Sequence, residues 1–310
     1  MNVLILQDHE AAAQVAADTL HAASHAAEPN VFIELLHHVE DSHEMELPFL
    51  HVHLPSFPPF SVAGIMVDMS ITKHVVFLWI AAALLCLTAA IVARVNRKRA
   101  VPTGFGNLFE MFVVFIRDEV ALPNMGAGGL RYLPYLLTTF FFILVMNLLG
   151  LLPYGASATG NVSVTAGLAF VAFIMIQLSA IRSQGLGRYL AHLTGGVHWA
   201  LWPIMIPIEI LGLFTKPFAL CIRLFANITG GHFVIVSLIG LVFIFKSYLI
   251  AVAPVGFVVG INFLELFVAF LQAYIFVMLT SLFMGLGIQA GEAHEAHAHG
   301  AGEHAHPGAS

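Results

Sequence analysis

Charged residues are scarce in this 310-residue chain. Asp, Glu, Lys and Arg make up only 10% of it, whereas 59% is hydrophobic and the mean hydropathy is +0.89. Soluble domains carry about 25% charged residues, so this composition predicts a protein that crosses a membrane several times. Basic residues are the scarcer sign, 12 against 18 acidic ones, which argues against a nucleic-acid-binding surface.

The residues of common cofactor and catalytic sites are also lacking. Cys86 and Cys221 are the only cysteines, and they lie in apolar segments at no metal-ligand spacing, so neither a disulfide framework nor a zinc site is predicted. No G-x-x-x-x-G-K phosphate loop occurs. We therefore predict a chain that is not an enzyme by itself and that holds no cofactor or metal.

Three apolar stretches have the length of a membrane span. They run from about Val75 to Val92, Tyr132 to Leu152 and Val162 to Ile181. Between the first two, Phe105–Val120 has apolar residues with charges at its edges, and we predict an amphipathic helix at the membrane interface.

The last third contains two apolar stretches, Leu201–Phe245 and Tyr248–Leu286, each about twice the ~20 residues that a perpendicular helix needs. Pro217 and Gly230 with Gly231 offer break points in the first stretch, but no polar loop follows them. We therefore predict two long, strongly tilted helices that form a hairpin turning near Lys246 to Pro254. The predicted fold class is an all-α polytopic membrane protein with about five membrane helices and one interfacial helix.

Composition divides the chain into three parts. Residues 1–70 are predicted to be an extramembrane segment of helix and loop, with nine acidic and no basic residues in its first 46 positions. Residues 71–290 form the predicted membrane domain. Residues 291–310 are rich in His, Gly and Ala and are predicted to be a disordered tail.

The basic residues predict the orientation. If the cluster RVNRKR, Arg94–Arg99, lies in the cytoplasm, eight of the twelve Lys and Arg residues are cytoplasmic. The N-terminus then lies outside and the C-terminus inside.

Polar residues recur within the two longest apolar stretches. Glu209, Lys216 and Arg223 are seven residues apart and share one stripe of a helix, and Asn227 lies on the same face. An arginine with apolar neighbours on both sides marks an ion path, because a membrane-embedded charge is costly. Lys216 could instead extend its charged end to the membrane surface.

The second long stretch repeats the pattern. Glu265 and Gln272 are seven apart on one face, and His232 lies opposite Arg223 on the preceding helix. Structural ion pairing is the alternative for Glu209, Glu265 and His232. Helix–helix hydrogen bonding is the alternative for Gln272 and Asn227.

Four segments together resemble one family. KPFALCIRLFANITGGH (Lys216–His232) resembles the signature of subunit a of the rotary ATP synthase, which has one arginine in an R-L-F-x-N motif. MNLLGLLP (Met146–Pro153), IPIEILGLFTKP (Ile206–Pro217) and ELFVAFLQAYIFVMLTSLF (Glu265–Phe283) are similar to other segments of that family. The resemblance extends from about Val75 to Leu286.

The resemblance implies a stator subunit that conducts protons through two offset half-channels. Arg223 would face the carboxylates of a rotating c-ring and separate the half-channels. Glu209 would line the half-channel open to the cytoplasm, and His232 with Glu265 the other one. The residues with implied roles in proton translocation are Arg223, Glu209, His232, Glu265, Gln272, Asn227, Lys216 and Asn147.

The implied partners are the c-ring, b-type subunits of a peripheral stalk, the catalytic head of the ATP synthase, the lipid bilayer and protons. The implied location is a bacterial inner membrane, with a periplasmic N-terminus. A secondary transporter would show internal repeats, and a haem-bearing subunit would need paired histidines on facing spans; the sequence has neither.

Overall fold

The computed structural model describes most of the chain from residue 72 onward and four short segments before it. The described residues are 44–47, 50–53, 60–62, 65–67, 72–97, 104–152, 158–193, 201–245 and 248–303. Most of the predicted extramembrane segment and the end of the His-rich tail therefore lie outside the described residues.

The four segments before the membrane domain are short strands. β1 (Glu44–Leu47) pairs antiparallel with β2 (Leu50–His53), and β3 (Phe60–Val62) pairs antiparallel with β4 (Ile65–Val67). The prediction of helix and loop was wrong for these residues. EMEL and LHVH alternate polar and apolar side chains, which is the period of a strand.

Every described element after the strands is helical, which confirms an all-α membrane domain. Five helices are long and apolar enough to span a membrane, as predicted. The first three are α1 (Lys73–Asn96), α4 (Leu133–Gly150, continued backwards by a 3-10 helix from Ala127) and α5 (Val162–Gln184).

The segment between α1 and α4 contains more than the predicted amphipathic helix. α2 (Phe105–Phe115) continues into a π-helix, Ile116–Ala121, and then into the short α3 (Leu122–Met125). A further short helix, α6 (Leu186–Leu193), follows α5.

The last two helices are unusually long and continuous, as predicted. α7 (Trp202–Phe245) passes through Pro217 and through the glycines at 230 and 231 without a break. α8 (Tyr248–Glu303) passes through Pro254, so most of the predicted turn region, Lys246 to Pro254, is helix, and residues 246 and 247 lie outside the described residues. α8 also continues past residue 291, so the predicted disordered tail begins as helix.

The core lies where α8 crosses α4 and the π-helix. Phe140 of α4 and Phe276 of α8 are fully buried, and their surroundings include the stacked rings of Phe109 and Phe141, 4.0 Å apart. Close packing of this kind holds membrane helices together, because lipid is as apolar as the side chains themselves.

The described chain forms two compact units. The larger unit comprises Ser42–Gly231 and Ile261–Ser310 and contains this core. The described part of the other unit is residues 232–245 and 248–260, the end of α7 and the beginning of α8.

Candidate functional site

Arg223 lies near the middle of α7 and points away from the core. Its neighbours Leu220 and Leu224 are 1% and 0% exposed, whereas Arg223 itself is exposed. In the described part of the chain, its guanidinium group makes no hydrogen bond or ion pair. Because α7 is continuous, Glu209, Lys216 and Arg223 do lie along one stripe, as their spacing predicted.

The other two charges of the stripe have neighbours of their own. Lys216 is partly buried, and its Nζ atom lies 5.1 Å from the centre of the Phe283 ring of α8, a cation–π contact. Lys216 therefore packs against the neighbouring helix α8.

Glu209 is partly buried near the start of α7 and acts on a tyrosine of α6. Burial, and secondly the negative charge of Glu209, raise the pKa of Tyr189 above its ordinary value. The Tyr189 hydroxyl donates a 2.8 Å hydrogen bond to Oε1 of Gln177 on α5. Glu209 therefore has a polar neighbourhood made by α5 and α6, which sequence reasoning missed because it depends on how the helices pack.

Asn227 and Gln272 link the two long helices directly. The Asn227 amide donates a 2.5 Å hydrogen bond to Oε1 of Gln272, whose side chain is 1% exposed. Asn227 is one turn beyond Arg223, so this bond holds α8 next to the stretch of α7 that carries the arginine.

Glu265 lies one stripe position before Gln272 and is partly buried beside α7. A methyl group added to Gly231 would collide with the Glu265 carboxyl group, with its Cδ atom at 3.0 Å. The sequence suggested Gly231 as a possible break in the helix, but in the structure it makes room for this carboxyl group. His232 follows it on α7, and its side chain is outside the described residues.

Asn147 forms a buried polar link between α4 and α8. It is 1% exposed; its amide nitrogen donates to the Ala269 carbonyl at 3.2 Å, and its Oδ1 accepts a 2.7 Å bond from the Thr159 hydroxyl. Ala269 is one turn beyond Glu265, so the structure brings Asn147 close to the stripe of α8. No motif or spacing in the sequence points to Thr159, which lies in a short uncharged 3-10 turn, Ala158–Gly160.

Known proteins resemble the chain over most of its length. The family described as ATP synthase A chain matches residues 75–285. A protein named ATP synthase subunit a from Chloroherpeton thalassium is 53% identical over 272 residues, covering 86% of this chain and 80% of the relative. Its namesake from Pelodictyon phaeoclathratiforme is 52% identical over 304 residues, covering 96% and 88%. The namesake from Myxococcus xanthus is 51% identical over 243 residues, covering 77% and 80%.

Proposed function

Because the chain belongs to the ATP synthase A chain family, whose members are non-catalytic, proton-translocating stator subunits, we propose that Arg223 separates two offset half-channels. These lead protons to and from the carboxylates of a rotating c-ring. The observation that carries the proposal is the exposed position of Arg223 in the middle of a membrane helix, with its guanidinium group unpaired in the described part of the chain.

An arginine at this depth needs a partner. Placing it at the centre of a membrane helix costs about 2.5 to 3.5 kcal/mol on insertion scales. Since α7 turns Arg223 away from the core of its own chain, a partner in another subunit meets this requirement best. A carboxylate on the c-ring has the complementary charge.

The same pairing explains proton transfer. A rotor carboxylate must be protonated to face lipid, because a bare charge in hydrocarbon is strongly disfavoured. Opposite Arg223 the ionised form is favoured, so the carboxyl group releases its proton into one half-channel. Arginine suits this role because it stays protonated at every relevant pH, whereas a buried lysine loses its proton readily. The fixed charge also repels protons that would otherwise pass between the half-channels.

The two half-channels use different residues. On the cytoplasmic side we place Glu209, and its polar neighbours Tyr189 and Gln177 support this assignment. On the outer side we place Glu265 and His232, because carboxyl and imidazole groups both bind and release protons. Asn147, Gln272 and Asn227 hold the helices around this path through their hydrogen bonds, and Lys216 lies on the stripe between Glu209 and Arg223.

The chain is a multi-pass membrane protein of the ATP synthase complex. Its specific partners in the proposal are the c-ring, along α7 and α8, and b-type subunits of the peripheral stalk. Its location is the bacterial inner membrane, with the N-terminus periplasmic and the C-terminus cytoplasmic, as the distribution of basic residues favours.

Chemical access tests the offset half-channels. Glu209→Cys and Glu265→Cys are made in the assembled complex, in a background of Cys86→Ser and Cys221→Ser. Vesicles of both orientations are treated with a small charged thiol reagent. Because such a reagent reacts only where water reaches the thiol, we expect the Glu209→Cys variant to be modified from the cytoplasmic side and the Glu265→Cys variant from the outer side.

The control is Ile174→Cys, since Ile174 is an exposed residue of the apolar helix α5. We expect it to remain unmodified from either side. Modification of both test positions from one side, or of neither position from any side, contradicts two offset half-channels. Mass spectrometry of the purified subunit gives the extent of modification without relying on pumping activity.

The Asn227–Gln272 bond predicts a coupling between the two residues. Hydrogen bonds between membrane helices contribute about 0.6 kcal/mol on average, which corresponds to roughly a threefold change in rate. We expect Asn227→Ala and Gln272→Ala each to slow ATP-driven pumping about threefold or more, and the double variant to be no slower than the worse single variant.

The control pair combines Asn227→Ala with Thr215→Val, because among the described residues the Thr215 hydroxyl bonds to the Leu211 carbonyl of its own helix and to no other helix. Here the two effects should multiply. Multiplication in the Asn227 and Gln272 pair as well would mean that their bond does not contribute to pumping.

A further inference from the structure

His74 is a buried histidine that has no role in the half-channels proposed above. It is the second residue of α1, at the outer end of the first membrane helix in the proposed orientation, and its side chain is 6% exposed. The other polar residues buried in the described part of the chain are hydroxyl and amide residues, which do not titrate near neutral pH. An imidazole group does, and it both accepts and donates a proton.

The imidazole ring lies beside the 3-10 turn Ala158–Gly160. A methyl group added to Gly160 would lie 4.0 Å from Cε1 of His74, so the ring is in contact distance of this turn. Thr159, the neighbour of Gly160, is fully buried and donates its hydroxyl proton to Asn147. Asn147 in turn donates to the Ala269 carbonyl of α8. A continuous run of buried polar groups therefore leads from the turn beside His74 to α8.

A second set of contacts reaches the same place along α7. The methyl group added to Gly160 would also lie 3.9 Å from Cγ2 of Ile228. Gly231, whose added methyl group would meet the Glu265 carboxyl group, is three residues further along α7. Ile228 and Gly231 are about 4.5 Å apart along the helix axis. Both sets of contacts thus place Glu265 about the length of one helical turn from the 3-10 segment Ala158–Gly160, which His74 contacts.

We propose that His74 is the outer proton-relay residue of the half-channel that leads to Glu265. The inference rests on the proposed function and extends it to a residue of α1. One ring nitrogen takes a proton from water on the outer side, and the other nitrogen releases its proton toward Glu265, through water held along Thr159 and Asn147. The ring gains one proton and loses one, so it ends neutral.

In the described part of the chain, the elements packed around His74 carry few charged or titratable residues. The 3-10 turn carries no titratable residue, and the half of α4 that contains Asn147 carries none either. On its own helix, Lys73 precedes it. α7 contributes Ile228, with Arg223 five residues before it and His232 four residues after it.

The test uses vesicles that contain the membrane sector and measures passive proton conduction driven by a fixed potential. The pH is varied on the outer side of the subunit. In the wild type we expect the flux to fall as the outer pH rises through the ordinary range of imidazole, about 6.5. His74→Gln keeps the size of the side chain but does not titrate. This variant should conduct protons about tenfold more slowly near neutral pH. That loss is smaller than the ~100-fold loss expected for a group that transfers the proton to the rotor. The variant should also lose the pH dependence of the flux in that range.

His74→Glu separates a relay from a structural role. A carboxyl group titrates near about 4.3, so this variant should retain conduction and shift the pH dependence to lower values. Thr165→Val is the matched control. Thr165 is fully buried in the first turn of α5 and bonds to the Val162 carbonyl of its own helix, and its 3.5 Å contact with the Cys221 Sγ atom of α7 involves no group of the proposed relay. Its flux and pH dependence should match the wild type.

Either of two results overturns the inference: wild-type flux and pH dependence in His74→Gln, or an unshifted pH profile in His74→Glu. Failure of both variants to assemble also overturns it, because it would assign His74 a structural role. Glu265→Gln in the same assay distinguishes a failure of the relay from a failure of the proposed function. If Glu265→Gln conducts normally, the outer half-channel itself is wrongly placed. If Glu265→Gln does not conduct but the His74 variants conduct normally, only the relay is wrong.

Discussion

Arg223→Ala is expected to abolish ATP-driven proton pumping by the assembled complex. Without the guanidinium group, nothing favours the ionised form of a rotor carboxylate at the moment it must release its proton. The same change should raise passive proton leak, because the fixed positive charge no longer separates the half-channels. Acidification of vesicles on addition of ATP measures pumping, and decay of an imposed pH gradient measures leak.

Arg223→Lys should also lose most pumping, because a lysine in a dry environment loses its proton and lacks the planar fork of donors. Arg182→Ala is the matched control. Arg182 is likewise exposed, but it lies in the last turn of α5, which the proposed orientation places at the cytoplasmic membrane surface. Wild-type pumping in Arg223→Ala with normal subunit content would contradict the proposed role of the arginine.

The sequence predicts the membrane helices well because their lengths and composition are local properties. Five spans and two continuous long helices follow from uninterrupted apolar runs and from the lack of polar loops. The π-helix Ile116–Ala121 was not predictable in this way. The Val120 carbonyl accepts hydrogen bonds from Asn124 and from Ser281, which is in α8. The π-helix backbone is therefore bonded to a helix more than 150 residues away.

For the candidate site, too, local features could be predicted from the sequence and features that depend on packing could not. Helical periodicity puts Glu209, Lys216 and Arg223 on one stripe, whatever packs against it. Periodicity does not show which side of the stripe faces the core. It also does not show that Lys216 contacts Phe283 while Arg223 has no such contact in the described part of the chain. Those distinctions come from packing, and they separate a residue that contacts a neighbouring helix from one that is exposed on the surface of the chain.

Glu265→Gln is expected to lower ATP-driven pumping about 100-fold, the lower end of what a positioned proton-transfer group contributes. Glutamine has nearly the size of glutamate, so it fits the space beside Gly231 and preserves the packing of α7 on α8. It removes only the ability to bind and release a proton. A loss of pumping with intact assembly therefore reports on titration and not on shape.

Glu265→His extends this argument, because histidine restores a titratable group of different charge and shape. If proton exchange is what position 265 supplies, this variant should pump faster than Glu265→Gln, because imidazole binds and releases a proton and an amide does not. Glu119→Gln, at an exposed residue of the π-helix, should behave as the wild type. If Glu265→Gln pumps normally, or if histidine restores nothing, the carboxyl group serves packing beside Gly231, and the outer half-channel must use other residues.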